Sequence, residues 1–313
     1  MAKATRASFG ETIAALGDKF PEVVVCDADL GKSTQTTAFM KKYPDRYFEF
    51  GIAEQNMIGT AAGMALCGKT PVTASFAAFL ISRLETIRVA VSYNKTNVKL
   101  VGTHAGIGIG DDGTSQMGLE DIGAMRSLPH FTILQPADHV ETCQAVEWML
   151  GHDGPVYIRL TRQKMADVHP EDYKFEMGKC SVLYSPEDAP DKVQATIFAS
   201  GGPVPHALQA AKDLKERGFA TRVVNAGTIM PFDADAVVEA ADKSQRIVTV
   251  EDHNINGGLG SAVAEVLAER GKACQLVRLG LRDFGESGEG EELYDKYGLS
   301  ASHIAEAAVR NLD

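Results

Sequence analysis

Residues 48–57 read FEFGIAEQNM: two aromatics close an apolar run, a glycine turns the chain, and Glu54 opens a stretch whose continuation, MIGTAAGMALCG, carries no charge. An acid in a helix's first turn ordinarily complements the helix dipole. Here the neighbours are apolar or small, which places the carboxyl against a buried sheet end. Burial favours its protonated form unless a partner pairs with it. A carboxyl so placed is a candidate for proton chemistry.

A second stretch, GTHAGIGIGDDGTSQMGLED at 102–121, contains the string GxGxxG from Gly108 to Gly113. A dinucleotide site is excluded, because Asp111 and Asp112 would face the pyrophosphate and no helical pattern begins there. The stretch reads instead as a long glycine-rich loop after a strand's carboxyl end, where α/β folds bind ligands. His104 sits at that strand end and reads equally as a hydrogen-bonded structural histidine or a ligand contact. Arg6, Ser33 and Arg162 each read singly as solvated surface groups. Together they offer guanidinium and hydroxyl donors suited to a sugar phosphate. Phe76 and Phe79, in ASFAAFL, read as core aromatics or as a wall for a flat heterocycle.

The elements that must position these groups alternate along the chain. Strands are expected at EVVVCD, RYFEF, KTPVTAS, NVKLVGTH, FTILQP and PVYIRLT, with helices between them, including one over FAAFLISRLETIRVAV. Strands without strict alternation, separated by helices, indicate a parallel sheet covered on both faces. The polar stretch RQKMADVHPEDYKFEMGK interrupts this pattern, after which QATIFASG, FATRVVNAG, RIVTVEDH and ACQLVRLG resume it. Two doubly wound α/β domains are expected, at 1–165 and 175–313, joined by a linker at 166–174. In the second, EDHNINGGLG has an acid–histidine pair at a strand end, then glycines opening a helix whose terminus could bind an anion; His253 is read as structural or at most a regulatory contact.

The chain has 313 residues, 44% hydrophobic and 23% charged, with a formal charge of −11. That is a globular composition, and its field disfavours nucleic acid or an anionic membrane as partner. No segment approaches the roughly 20 uncharged residues of a membrane span. The N-terminal MAKATRASFGE shows no apolar signal core. Five cysteines without CxxC spacing argue against a disulfide framework. A reduced cytoplasm is the expected location.

The ordered set ATR, DADL with its following serine, FGIAEQNM, ASFAAF, THAGIGIGDDG, RSLP, QPAD and LTRQ resembles the C-terminal half of transketolase. The resemblance implies a pyrimidine-binding domain followed by the family's C-terminal domain. It implies that Glu54 hydrogen-bonds the aminopyrimidine of thiamine diphosphate and stabilises its imino tautomer, so that the cofactor's own exocyclic nitrogen removes the thiazolium proton. Phe76 and Phe79 match the aromatics packed against the pyrimidine, and Asp29 matches an acid beside the cofactor. His104 and Asp112 match residues that bind the donor's hydroxyls. Arg6, Ser33 and Arg162 match the phosphate-binding set.

Two positions depart from the family. Gln116 stands where many transketolases have histidine, and it can hydrogen-bond but not act as acid or base. Ser82 stands where an aromatic is common. The GDG motif, which with a downstream asparagine holds Mg²⁺ and the diphosphate in this family, is also missing. No residue of this chain is assigned to the metal.

The resemblance therefore implies one subunit of a split transketolase, assembled with an N-terminal subunit that carries GDG, as two copies of each chain, acting on sugar phosphates. The β subunit of a 2-oxoacid dehydrogenase, a deoxyxylulose-phosphate-synthase-like enzyme and a catalytically silent assembly subunit are the competing readings. THAGIGIGDDG and the phosphate-binding set speak against the first, the missing GDG domain against the second, and retention of Glu54, His104 and Asp112 against the third.

Overall fold

The structure is a computed structural model describing residues 2–186 and 192–312. Along the first half run β1 (Lys3–Ala4), β2 (Val23–Asp27), β3 (Tyr47–Glu49), β4 (Thr70–Phe76), β5 (Lys99–Thr103), β6 (Thr132–Leu134), β7 (Val156–Arg159) and β8 (Lys164–Met165). The second half supplies β9 (Ser181–Tyr184), β10 (Val193–Ala199), β11 (Thr221–Asn225), β12 (Thr228–Met230), β13 (Ser244–Asn254) and β14 (Gln275–Leu281).

The larger sheet has the order β12-β6-β7-β5-β4-β2-β3, and all its neighbours are parallel except β12 against β6. Its central strands β2 and β5 are buried at every residue, as expected where helices cover both faces. The smaller sheet runs β14-β13-β10-β11-β9, parallel except for β9. Both sheets are α/β assemblies of the expected class.

β12 was not legible in the sequence. It leaves the second half and pairs with β6 at the edge of the first sheet, where the Gln135 amide donates to the Gly227 carbonyl at 2.8 Å. One apolar cluster runs from Met57, Leu80 and Ile133 to Ile229, Leu259 and Val263, so the two sheets share a continuous core.

The segment expected as one amphipathic helix over FAAFLISRLETIRVAV is broken. A helix at Ala77–Ile81 ends at Ser82, a turn spans Leu84–Thr86, and a wider π-helical turn spans Ile87–Tyr93. Ser82 Oγ donates back to the Ala78 carbonyl at 2.8 Å, a local bond that bends helices.

The polar stretch after β8 is pinned near its middle. The amides of Val168 and His169 donate to Asp138 Oδ2 at 2.8 and 2.7 Å, and His169 Nδ1 lies 3.0 Å from the same oxygen. Among the described residues no helix is long and apolar enough to cross a membrane.

Candidate active site

Most of the sequence-predicted residues gather along the carboxyl ends of parallel strands, where each strand hands its chain to a loop or helix, and Arg6 joins them from the first turn of the Thr5–Leu16 helix. Glu54 is the first residue of the Glu54–Leu66 helix and is 4% exposed. Ser75, near the end of β4, donates its hydroxyl to Glu54 Oε1 at 3.2 Å. The other carboxyl oxygen has no hydrogen-bond partner among the described residues. Glu54 also lines an open cleft of about 780 Å³, with Gln55, Asn56, Thr60 and Arg83 on its walls. A buried carboxyl with one oxygen left over, on a residue that lines a cavity, is chemistry waiting for a donor or acceptor from outside.

Phe76 follows Ser75 and is buried, its ring stacked on His104 at 3.7 Å and on Phe79 at 5.1 Å between centroids. Phe79 is only half-buried, so it is the member of the pair with ring surface left for another flat group.

His104 leaves β5 with φ of +56°, a left-handed conformation that turns the chain into the glycine-rich loop. Arg6 Nη1 stands 2.9 Å from His104 Nε2, and Thr103 Oγ1 stands 2.9 Å from Nδ1. A guanidinium cannot accept, so Nε2 is the bare nitrogen and the proton sits on Nδ1, donated to Thr103. Thr103 in turn donates to the Ser75 carbonyl at 3.3 Å. One chain of contacts therefore joins Arg6, His104, Thr103, Ser75 and Glu54. Burial, then the charges of Arg6 and Arg162, push the His104 pKa down to about 3, so the ring is neutral at physiological pH.

Arg6 Nη1 also donates to the Ser33 carbonyl at 2.8 Å, so Ser33 meets the cluster through its backbone while its hydroxyl stays free of that bond. The short helical turn Gly31–Thr34 that bears Ser33 is ordered by Asp27, whose Oδ2 accepts from the Thr34 and Thr36 hydroxyls at 2.8 and 2.9 Å. Arg162 Nη1 donates to the Ile109 carbonyl at 2.6 Å and lies 3.9 Å from Asp112 Oδ2. Burial and the nearby Arg162 charge lower the Arg6 pKa, a tension that an anion between the two guanidiniums would relieve.

The remaining predicted residues are less central. Asp29 is exposed, with φ of +61°, and its amide donates to Glu49 Oε1 at 2.7 Å. Gln116 is half-buried, and its amide donates to the Gly113 carbonyl at 3.1 Å. Ile107–Asp112, expected as irregular loop, forms short 3₁₀ turns broken at Gly110.

In the second half, the helix terminus of EDHNINGGLG is already filled. Glu251, fully buried, accepts from the amides of Leu259 and Gly260 at 2.7 and 2.8 Å, so the chain caps this terminus with its own carboxyl. His253 is wholly buried, with Nδ1 2.6 Å from the Asn254 carbonyl and Nε2 accepting from the Gly123 amide at 3.3 Å, the structural role expected of it. Sequence reasoning missed Ser75 and Thr103. Each directly precedes a residue it did single out, Phe76 and His104, but in a strand nothing marks a hydroxyl as pointing toward one neighbour or another.

Comparison with known proteins decides the family. The model of the transketolase pyrimidine binding domain matches residues 1–167, and that of the transketolase C-terminal domain matches residues 188–304. The chain belongs to the transketolase family. A putative transketolase C-terminal section from Methanocaldococcus jannaschii is 43% identical over 99% of this chain and 96% of its own length. An apulose-4-phosphate transketolase subunit from Actinobacillus succinogenes is 37% identical, covering 92% of each chain. Human transketolase is 36% identical over 99% of this chain but only 49% of its own length. A solved split-gene transketolase, an inactive β4 tetramer, superposes with a TM-score of 0.90 at 40% identity, covering 99% of this chain and 98% of that one. This transketolase chain is thus of the split-subunit type, a thiamine-diphosphate-dependent transketolase subunit.

Proposed function

We propose that this subunit supplies the pyrimidine side of the cofactor site and the sugar-binding wall of a split transketolase, and that it turns over only with an N-terminal subunit. That partner would carry GDG and hold the diphosphate and Mg²⁺, and two copies of each chain would assemble. The size of the split-subunit relatives supports this division of labour.

The observation that carries the reading is Glu54: buried, held at one oxygen by Ser75, without a partner at the other among the described residues, and lining a cleft. The residues fit thiamine diphosphate, for a carboxyl oxygen without a partner and a half-exposed aromatic on a buried one suit a flat, nitrogen-rich ring. When bound, that cofactor supplies the carbanion stabilisation that side chains lack. Glu54 would hold a proton at its free oxygen toward the pyrimidine, and Phe79, backed by Phe76, would pack on the ring face. Asp29 would stand beside the cofactor.

His104, neutral and tautomerically fixed by Thr103, would accept a donor hydroxyl at Nε2 in competition with Arg6. Asp112 and Gln116 would hold further hydroxyls. Arg6, Arg162 and the Ser33 hydroxyl would bind the phosphate that ends the sugar, relieving the mutual repulsion of the two guanidiniums. A ketose phosphate would be the donor and an aldose phosphate the acceptor, as in the pentose phosphate pathway. Five unpaired cysteines support a reducing, cytoplasmic setting.

The test is Glu54→Gln in the assembled enzyme. Gln keeps the shape and the Ser75 bond but cannot give a proton, so ketol transfer should fall by about 10²-fold or more, with assembly and melting temperature kept. Near-normal turnover would remove the proposed role.

A further inference from the structure

The glycine-rich loop that carries His104 and Asp112 is shaped only in part by its own domain. Its neck is closed by the Gly106 amide donating to the Gly118 carbonyl at 2.9 Å. Beyond that, the surfaces that fit its glycines come largely from the second half of the chain. A side chain at Gly106 would meet Asp252 Oδ2 at 2.0 Å, one at Gly110 would meet the Gly288 carbonyl at 3.0 Å, and one at Gly113 would meet Ser287 Oγ at 2.4 Å. All three also have positive φ, so those positions demand glycine twice over. The Thr114 hydroxyl donates to the Gly285 carbonyl, and the Asn254 amide, at the end of β13, donates to the Leu119 carbonyl at 2.7 Å.

Asp252 is itself held from both sides. Arg159 Nη1 donates to its Oδ1 at 2.8 Å, and the Tyr294 hydroxyl donates to its Oδ2 at 2.9 Å. The same Arg159 donates through Nη2 to the Gly118 carbonyl at 2.8 Å and through Nε to Asp121 at 2.9 Å, so one buried guanidinium ties the loop's exit to the Asp252 carboxylate. Gln163, one residue beyond Arg162, donates to Tyr294 at 2.8 Å and lies directly under Gly108.

We infer that the C-terminal domain acts as the mould for the sugar-binding loop, with Asp252 as its principal positioning residue. Asp252 touches no substrate. It presses on Gly106 and so fixes the turn that aims His104 and places Asp112 beside Arg162. The Ser287–Gly290 segment sets the far end of the same loop. Ordering those backbone torsions before the sugar arrives removes an entropy cost from binding, and misplacement by an ångström is enough to lose it. The role rests on the proposed sugar site; the ordering of the loop does not.

The experiment compares wild-type full chain with Asp252→Asn and Tyr294→Phe. The first keeps the shape but removes the charge. The second keeps the carboxylate and removes the hydroxyl that steadies it, together with that hydroxyl's bond from Gln163, which covers the case in which the first fails to fold. Hydrogen exchange is read across 104–118 in the chain alone, where amides should exchange about tenfold faster. In the complex with the N-terminal subunit, KM for the ketose donor should rise about tenfold, with kcat within about twofold and thiamine diphosphate affinity unchanged.

Unchanged exchange at 104–118 would overturn the inference. So would faster exchange throughout the second half, with cofactor affinity, KM and kcat worsening together, since that marks a merely structural role. Faster exchange confined to the loop, in a complex that transfers no ketol unit, would keep the mould and discard the sugar site.

Discussion

Two arginines three residues apart face opposite demands. Arg159, the last residue of β7, is 1% exposed and donates to Asp121, Asp252 and two carbonyls. Its burial would lower its pKa, but the Asp121 and Asp252 charges outweigh that and hold it above the ordinary value. Arg162, just past the strand, keeps 38% of its side chain exposed, with one carbonyl bond and a carboxylate at 3.9 Å.

Two glutamates repeat the contrast: Glu251 spends both oxygens on helix amides, and Glu54 spends one on a serine. A charge whose bonds are all satisfied inside the protein is building the fold. One left partly unsatisfied at a cavity is available to a ligand.

Replacing Arg159 by Ala should break the satisfied half of that comparison hardest. It leaves Asp121 and Asp252 buried without their cation, a loss of about 3–5 kcal/mol by denaturant unfolding. A loss below about 1 kcal/mol would mean that the knot is incidental to stability.

Arg162→Ala should leave stability almost untouched and raise KM for phosphorylated acceptors about tenfold, an effect of about 1.4 kcal/mol, while unphosphorylated sugars change little. An equal loss with both sugar types would place the phosphate elsewhere.

A third set of effects lies in the pH profile of stability. His104 titrates near 3 in the folded chain against an ordinary 6.5, because burial, then Arg6 and Arg162, disfavour its cation. The unfolded chain therefore takes up a proton that the native ring refuses, and stability is lost as pH falls from 6.5 toward 3. Glu251 has the opposite sign. Burial, opposed by the two helix amides, raises it from 4.5 to about 7, so stability is lost as pH rises through that window. Melting curves between pH 4 and 8 should flatten on the acid side in His104→Asn and steepen in Glu251→Gln. Unaltered slopes in both would show that neither group titrates as its surroundings dictate.

The contrast also explains what was legible in the sequence. The α/β class and the ends of β2, β4 and β5 followed from apolar runs, because hydrophobic periodicity reports burial. Glu54 stood out because one carboxyl beside an uncharged stretch is conspicuous, and His104, Arg6, Ser33, Arg162, Phe76 and Phe79 because of their types beside strand ends and loops; Asp29, Gln116 and the hydroxyl-binding role of Asp112 came with the family resemblance.

Arg159 was not singled out: in PVYIRLTR nothing distinguishes the arginine that turns inward from the one that turns out. Its partners lie at Asp121 and Asp252, separations over which local sequence carries no signal. Strand β12 was hidden for the same reason, since a three-residue run can pair with any open edge. The terminus of the Leu259–Glu269 helix, read in the sequence as able to bind an anion, is capped by the chain's own Glu251, eight residues before Leu259.

The central claim is that the partly satisfied half of this comparison is one wall of a site completed by another chain. The most direct measurement is ketol transfer from xylulose 5-phosphate to ribose 5-phosphate, with thiamine diphosphate and Mg²⁺, by this chain alone, by a GDG-bearing N-terminal subunit alone, and by the two mixed. Activity is expected in the mixture only. Transfer by this chain alone, or a mixture that decarboxylates a 2-oxoacid and moves no sugar fragment, would contradict it.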